Sequence, residues 1–287
     1  MRNRIIELCQ KCGADLVGFA PISRFPENSA VHRLMPEAKT VIGLGFRVLR
    51  GAYRGIEEGS TYYQYTTMGV ENMEETVMPM ASVRLSMLIE EEGYSALPQR
   101  RHQQIMAEEN STNPEVAYDA IYRNCPQETQ MDFNEAAVLC GLGEIGFHGA
   151  LLTDEFGPFV RTCFVLTDME LEASPVKESH LCDKCGKCKE ACPGGAIDDS
   201  GLDTWQCSVY YRGAHKSNPF IKEDFLENNP DREAILNGEK RFDKESAIAI
   251  YPELNFLPNT HFGYVPCLCK KSCEAVCYKH LKEVGKI

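Results

Sequence analysis

The chain lacks any long apolar run. Its opening residues, MRNRIIE, have no apolar signal-peptide core, and no stretch of the 287 residues is apolar enough to span a bilayer. Internal repeats and low-complexity segments are also missing. The sequence therefore predicts a cytoplasmic protein with no membrane partner.

Basic residues are scarce relative to acidic ones. The chain has 30 Lys and Arg against 42 Asp and Glu, which gives a formal net charge of −12. Because nucleic-acid binding depends on neutralising phosphates with Lys and Arg, a nucleic-acid surface spread over the whole protein is not expected. Only a local basic patch is compatible with this composition.

Cysteine, in contrast, is abundant, with 14 in the chain. The run CDKCGKCKEACP, residues 182–193, has the C-x2-C-x2-C-x3-C-P spacing of bacterial ferredoxins. In this spacing three thiolates hold one 4Fe-4S cluster, and the fourth, followed by proline, ligates a neighbouring cluster. Zinc sites usually pair two C-x2-C knuckles, and a cytoplasmic protein has little use for disulfides. The run therefore predicts an electron-transferring protein with a second cluster.

The ligands of that second cluster are found further along the chain. A second cysteine run, CLCKKSCEAVC, covers residues 267–277, and a lone cysteine follows Trp205-Gln206. Crossed ligation assigns one cluster to Cys182, Cys185, Cys188 and Cys277. The other cluster takes Cys192, Cys207, Cys273 and either Cys269 or Cys267. The six remaining cysteines are expected to pack as small apolar side chains: Cys9, Cys12, Cys125, Cys140, Cys163 and one of Cys267 or Cys269.

The length suits one large domain and one small domain. Residues 1–172 are predicted to form a mixed α/β domain, and residues 173–287 carry the cluster ligands. An insertion at about 208–266 is charged and irregular, and it is long enough to cover a site. In the first domain we predict helices with apolar faces at Ile5, Ile6, Cys9 and Cys12, and at Val83, Met87 and Leu88, and strands at about 16–20, 40–49 and 159–167.

A glycine run, GLGEIG at residues 141–146, matches the dinucleotide fingerprint G-x-G-x-x-G. That fingerprint needs a strand before it, whereas the preceding NEAAVLC, residues 134–140, is typical of a helix. A nicotinamide-binding domain is therefore not favoured. Two interpretations stay open: the glycines let the backbone approach a large phosphate-bearing ligand, or they form a tight packing turn.

Residues 136–161, AAVLCGLGEIGFHGALLTDEFGPFVR, with VLTD at 165–168, resemble the core of the epoxyqueuosine reductase and reductive dehalogenase superfamily. ADLVGFAP at 14–21 and EGYSA at 92–96 are similar to other parts of it, and Cys207 falls where epoxyqueuosine reductases carry a lone cluster cysteine. The resemblance implies an α+β protein: a nitroreductase-like α/β domain that binds cobalamin, followed by a ferredoxin-like module with two 4Fe-4S clusters.

The chain departs from the superfamily pattern at three places. It has YYQY at 62–65 where epoxyqueuosine reductases usually show Asp-Tyr-His, it stops at Ile287 without their C-terminal tRNA-gripping repeat domain, and it has no twin-arginine signal. The resemblance therefore implies a short cytoplasmic branch without a tRNA substrate.

The resemblance also implies a function. Electrons from a donor such as a ferredoxin or flavodoxin would pass through both clusters to cobalamin or another corrinoid, which would reduce a small-molecule substrate. We expect Gly141, Gly143 and Gly146 to cradle the corrinoid, with His148 as a polar contact. The candidate proton donors are Tyr63, Tyr65, Tyr118, Asp119 and Tyr122.

A second hypothesis is a non-catalytic electron-transfer protein, for instance one that reductively activates a corrinoid protein. Its first domain would then serve as a docking surface or bind flavin. An open cavity lined by tyrosines and the glycine run would favour the oxidoreductase, and a filled apolar core would favour the carrier.

Overall fold

The structure is a computed structural model that describes residues 1–99 and 131–287. Regular elements are, in chain order, α1 (Arg2–Lys11), β1 (Leu16–Pro21), α2 (Val31–Leu34), β2 (Thr40–Arg47), α3 (Arg50–Glu58), α4 (Met78–Glu91), β3 (Ala96–Gln99), α5 (Phe133–Leu139), β4 (Glu144–Ile145), β5 (Leu151–Leu152), β6 (Val160–Thr167), α6 (Lys187–Ala191), β7 (Ile197–Asp198), β8 (Gly201–Leu202), α7 (Thr204–Tyr211), α8 (Arg232–Leu236), α9 (Lys244–Ile250) and α10 (Ser272–Glu283). Two π-helical stretches, Tyr65–Glu71 and Met73–Val77, precede α4. None of the described helices is long and apolar enough to cross a membrane.

The chain divides into two compact units. The first comprises residues 1–46, 74–142 and 162–177, and the second comprises 47–73, 143–161 and 178–287. The sequence predicted a single domain boundary near residue 172. The chain passes from the first unit to the second for the last time between residues 177 and 178, close to that prediction. Each unit is instead assembled from three segments.

A four-stranded sheet with the order β1-β2-β6-β3 forms the centre of the first unit. β1 pairs antiparallel with β2, with Leu16 opposite Gly45, and β3 pairs antiparallel with β6, with Ala96 opposite Thr167. The apolar runs that predicted β1, β2 and β6 are buried, as expected of strands that are covered on both faces.

Helices α1 and α4 of the first unit pack against each other. α1 buries Ile5 and Cys9 of its predicted apolar face, whereas Ile6 and Cys12 are partly exposed. Gly13, which follows the helix, has a φ of +94°. The predicted face of α4 was partly wrong. Val83 and Met87 are 47% and 57% exposed, because Ala81, Leu85, Leu88 and Ile89 form the buried stripe instead.

Three cysteines of the first unit are packing residues, as predicted. Cys9, Cys140 and Cys163 are at most 1% exposed, and burial raises the pKa of the Cys9 and Cys140 thiols to about 12. Such thiols stay protonated and unreactive at neutral pH. Cys12 is partly exposed, and Cys125 lies outside the described residues.

In the second unit, α6 packs against α10, which brings the two cysteine runs together. The insertion at 208–266 is more ordered than predicted. It contains α8 and α9, and its apolar side chains, Phe225, Ile235, Leu236, Phe242, Ala247, Ile250 and Leu254, form a buried cluster with Val209 and Tyr210 of α7. Hydrophobic burial therefore gives this charged segment a core of its own.

Candidate metal centres

The structure gathers the cysteines into two groups. In the first group, the Cys277 thiol of α10 lies within electrostatic reach of Cys182, Cys185 and Cys188. These four cysteines line one small pocket together with Phe147, His148, Leu181, Asp183, Lys184, Gly186, His280 and Leu281. The group has the membership that crossed ligation predicts, although Cys277 is far from the others in sequence.

The second group combines cysteines from three parts of the chain. The thiols of Cys269 and Cys192 lie close enough to Cys207, on α7, to raise the pKa of its thiol. Cys269 and Cys207 raise the pKa of the Cys273 thiol in the same way. Cys192, Cys207, Cys269 and Cys273 therefore lie together, which is the second predicted set with Cys269 as its fourth member.

Cys267 is more deeply buried than Cys269. It is fully buried in an apolar cluster that includes Tyr53, Tyr65 and Phe159, and its Sγ lies 3.8 Å from the Sγ of Cys269. All 13 described cysteines are free thiols, so this pair is not a disulfide. Cys269 lies close enough to Cys207 and Cys273 to raise the pKa of both thiols. The geometry therefore favours Cys269 over Cys267 as the fourth member of the second group.

The two groups fit a cationic cofactor. Burial, followed by the neighbouring thiols, raises the pKa of Cys207 and Cys277 to about 12. Four thiolates held this close would repel one another, so they need bound metal to lose their protons. Backbone amides already point at two of the sulfurs: Phe147 N donates to Cys182 Sγ and Ala196 N donates to Cys192 Sγ, each at 3.3 Å. Amide hydrogen bonds of this kind stabilise ligated thiolates.

Glu144 positions the loop that carries the first cysteines. Its carboxylate is 5% exposed and accepts three backbone hydrogen bonds, from His180 N at 2.6 Å, Leu181 N at 3.1 Å and Cys182 N at 2.8 Å. Sequence reasoning missed this residue, because a lone acidic residue inside a glycine run carries no distinguishing pattern.

Gln206 positions the segments around the second group through hydrogen bonds of its side chain. Its side chain is fully buried, and its Nε2 donates to Gly194 O at 2.7 Å and to Lys240 O at 2.9 Å. Its Oε1 accepts from Phe242 N at 2.9 Å. The residue beside Cys207 therefore ties α7 to the Cys192 loop and to the insertion.

A buried ion pair lies among the cysteines of α10. Lys271 Nζ pairs with Glu274, and Tyr53 donates its hydroxyl hydrogen to Lys271 O at 2.7 Å. Burial opposes ionisation of Glu274, but Lys271 and Arg161 outweigh it and hold the pKa of this carboxyl below its usual value. Glu274 therefore stays ionised at neutral pH.

The glycines of the run are explained by packing. A Cβ on Gly141, whose φ is +74°, would lie 2.2 Å from Pro175 O, and one on Gly143 would lie 2.0 Å from Leu152 O. The amides of Gly141 and Gly146 already donate to Val138 O and Ala150 O. The run follows helix α5 rather than a strand, so the fingerprint's context is absent, as predicted. That these glycines cradle a corrinoid stays a prediction.

Replacing Gly143 with Ala tests the packing explanation. The Cβ would overlap a backbone carbonyl, so we expect a loss of about 2 kcal/mol or more, visible as a melting temperature several degrees lower. Gly51→Ala is the matched control, because a Cβ there meets nothing within 4 Å and alanine suits a helix. A stable Gly143→Ala protein that loses only cofactor would contradict the packing explanation.

His148 lies beside the first cysteine group. It is 4% exposed, and its Nδ1 accepts a hydrogen bond from Ala150 N at 3.1 Å. Burial lowers the pKa of the imidazole, so the side chain is neutral at pH 7. The predicted contact between His148 and a corrinoid stays a prediction.

The described proton-donor candidates are engaged in hydrogen bonds. Tyr65 is 1% exposed, its hydroxyl accepts from Arg161 Nη2 at 2.7 Å, and burial raises its pKa. Tyr63 donates to Pro258 O at 2.7 Å. Both contacts suit a structural role, and a catalytic role stays a prediction. The other candidates, Tyr118, Asp119 and Tyr122, lie outside the described residues.

Comparison with known proteins supports an iron-sulfur motif at the first cysteine run. A 4Fe-4S binding domain family matches residues 175–198. The tetrachloroethene reductive dehalogenase of Dehalobacter restrictus is 36% identical over 100 residues, which cover 32% of this chain and 17% of that protein. The epoxyqueuosine reductase of Atelocyanobacterium thalassa is 31% identical over 123 residues, 39% of each chain. About a third of the chain is therefore similar in sequence to both epoxyqueuosine reductases and reductive dehalogenases, since the matches cover 32% and 39% of it.

Two solved structures have a similar fold. The catabolic reductive dehalogenase NpRdhA, in complex with 3-bromo-4-hydroxybenzoic acid, aligns with a TM-score of 0.55 at 16% identity, over 86% of this chain and 35% of that one. A reductive dehalogenase whose structure suggests a mechanism for B12-dependent dehalogenation aligns with a TM-score of 0.50 at 17% identity, with the same coverage. The matched regions span well under half of the curated relatives' length.

Proposed function

We propose that this protein is an iron-sulfur oxidoreductase that passes single electrons through two 4Fe-4S clusters to a bound corrinoid, for the reduction of a small molecule. The observation that carries the proposal is the division of eight cysteines into two groups of four. One group would hold the first cluster with Cys182, Cys185, Cys188 and Cys277. The other would hold the second with Cys192, Cys207, Cys269 and Cys273.

The corrinoid part of the proposal is supported by similarity. One matched dehalogenase structure is described in terms of B12-dependent chemistry, and a corrinoid, when bound, supplies a cobalt centre capable of reductive chemistry. The glycine run leaves little room for such a group, because a Cβ on Gly141 or Gly143 would overlap a backbone oxygen and the amides of Gly141 and Gly146 are engaged.

The surface at the first group suits an acidic electron donor such as a ferredoxin or flavodoxin. Cys185 is exposed, so electrons have a short route in. Segments 183–190 and 279–283 together expose five lysines and three acidic residues. The lysines are Lys184, Lys187, Lys189, Lys279 and Lys282, and the acidic residues are Asp183, Glu190 and Glu283. In a chain of net charge −12 this is a local basic patch, which would steer a negatively charged partner.

Charge reversal tests this docking surface. The double variant Lys184→Glu and Lys187→Glu should accept electrons from reduced flavodoxin about tenfold more slowly at low salt, because steering is lost. The difference should shrink as salt is added, since screening acts on the wild type. Lys222→Glu, an exposed lysine in the insertion, is the matched control. Equal rates for wild type and double variant at low salt would contradict the docking surface.

A non-catalytic electron carrier is the second candidate function. The closed glycine run favours it, because a carrier needs no cofactor cradle there. It keeps both cysteine groups and the docking surface, and it differs from the oxidoreductase only in lacking a bound corrinoid.

Anaerobic reconstitution with iron, sulfide and hydroxocobalamin separates the two. After gel filtration, the protein peak should contain about eight irons per chain, as two 4Fe-4S clusters require, and one cobalt. Eight irons without cobalt would refute the corrinoid and leave the carrier, with bound flavin as the next assay. Iron well below eight would refute the two-cluster assignment.

A further inference from the structure

The side chain of His148 has one ring nitrogen, Nε2, without a hydrogen-bond partner among the described residues. This nitrogen is buried. Since Nδ1 accepts from Ala150 N, the neutral ring carries its hydrogen on Nε2. A buried N–H donor without an acceptor is rare and destabilising, so it calls for an explanation.

The imidazole lines the pocket formed by the first cysteine group. Its neighbour in sequence, Phe147, already donates its backbone N–H to Cys182 Sγ. The other histidine of this pocket, His280, differs because its Nε2 is paired with Asp183 Oδ2 at 2.8 Å. His148 is therefore a histidine of this pocket with an Nε2–H still available.

We propose that the Nε2–H of His148 donates a hydrogen bond to a sulfur atom of the cluster held by Cys182, Cys185, Cys188 and Cys277, and thereby raises that cluster's reduction potential. The reduced cluster carries one more negative charge than the oxidised one, so a hydrogen-bond donor stabilises the reduced form more strongly. The inference rests on the iron-sulfur part of the proposed function and is independent of its corrinoid part.

A redox titration of the reconstituted protein, followed by EPR, tests the proposal. His148→Phe removes the donor and fills the space. At a fixed potential near the midpoint, the ratio of reduced to oxidised first cluster should fall about tenfold, which is 59 mV for a one-electron couple. The second cluster in the same sample should not shift.

Two further variants separate hydrogen bonding from packing. His148→Gln keeps an amide N–H donor and should recover most of the wild-type ratio. His215→Phe is the matched control, since His215 is also buried, with Nδ1 bonded to Ser217 and Nε2 without a described partner, but does not line the pocket. It should leave the first cluster's potential unchanged.

Pulsed EPR of the reduced wild type in H2O and D2O gives a second readout. The exchangeable protons coupled to the first cluster should include the Phe147 amide proton and the His148 Nε2 proton, and His148→Phe should lose only the second of these couplings. If the Phe variant does not hold iron, His148→Leu replaces it, because leucine is smaller and also lacks a hydrogen-bond donor. Unchanged potentials and couplings in an iron-loaded donor-free variant would overturn the proposal. Failure of the wild type to bind iron would overturn the proposed function as well.

Discussion

Cys185→Ala and Cys207→Ala should each halve the iron content of the reconstituted protein, from about eight to about four per chain. Each substitution removes one ligand from a different group, and a cluster with three protein thiolates is labile while the other keeps its four. Iron analysis and EPR of the purified variants measure the loss. The two variants should show complementary spectra, each retaining the cluster that the other lacks.

The same assay tests which cysteines share a cluster. Cys277→Ala should retain the cluster that Cys185→Ala retains, and Cys273→Ala should match Cys207→Ala. Cys12→Ala is the control, because Cys12 belongs to neither group and is partly exposed. A Cys277→Ala protein with the spectrum of Cys207→Ala would show that the ligands are paired in another way.

Cys269 and Cys267 are separated by the same measurement. Cys269→Ala should lose the second cluster, whereas Cys267→Ala should keep about eight irons and lose stability only, because Cys267 is buried among aromatic side chains. The reverse result would make Cys267 the ligand.

Glu144→Ala should be the most destabilising single substitution near the first group. Its carboxylate accepts from three backbone amides at 2.6–3.1 Å, and removal leaves three donors without their acceptor. Hydrogen bonds to charged groups contribute about 1.5–3 kcal/mol each, so a loss of at least about 3 kcal/mol is expected. For a chain of this size, that corresponds to a melting temperature roughly 6–12 °C lower.

The Glu144→Ala protein should also lose iron from the first cluster, because the loop that presents Cys182 is no longer held. Glu155→Ala is the matched control, since Glu155 is an exposed acidic residue close by in sequence. It should change the melting temperature little. A Glu144→Ala protein as stable and as rich in iron as the wild type would show that other contacts hold the loop.

The sequence already predicted which cysteines lie together, because cluster ligation depends on residue type and spacing. The run at 182–193 predicts three ligands of one cluster and one of the next, and the structure brings Cys277 to the first three and Cys192 to Cys207. Strands β1, β2 and β6 were predictable for a similar reason, since apolar runs record burial directly.

Other features depend on contacts between distant residues and leave no local pattern. The buried face of α4 differs from the predicted one because Val83 and Met87 are apolar but exposed. The role of Glu144 could not be predicted, because it depends on residues 180–182 folding close to the carboxylate. The unpaired Nε2 of His148 could not be predicted either, because it depends on the positions of all nearby acceptors.

By itself, then, the amino-acid sequence determined the cysteine spacing, the resemblance to epoxyqueuosine reductases and reductive dehalogenases, and the positions of β1, β2 and β6, all of which are local or pattern-based properties. Only the tertiary structure decided that residues 47–73 and 143–161 belong to the unit that carries the cysteines, that Cys269 joins the second group, and that the glycines of the run serve packing. These depend on which backbone and side-chain atoms come close in space, and hydrophobic burial and backbone hydrogen bonding settle that only when the whole chain folds.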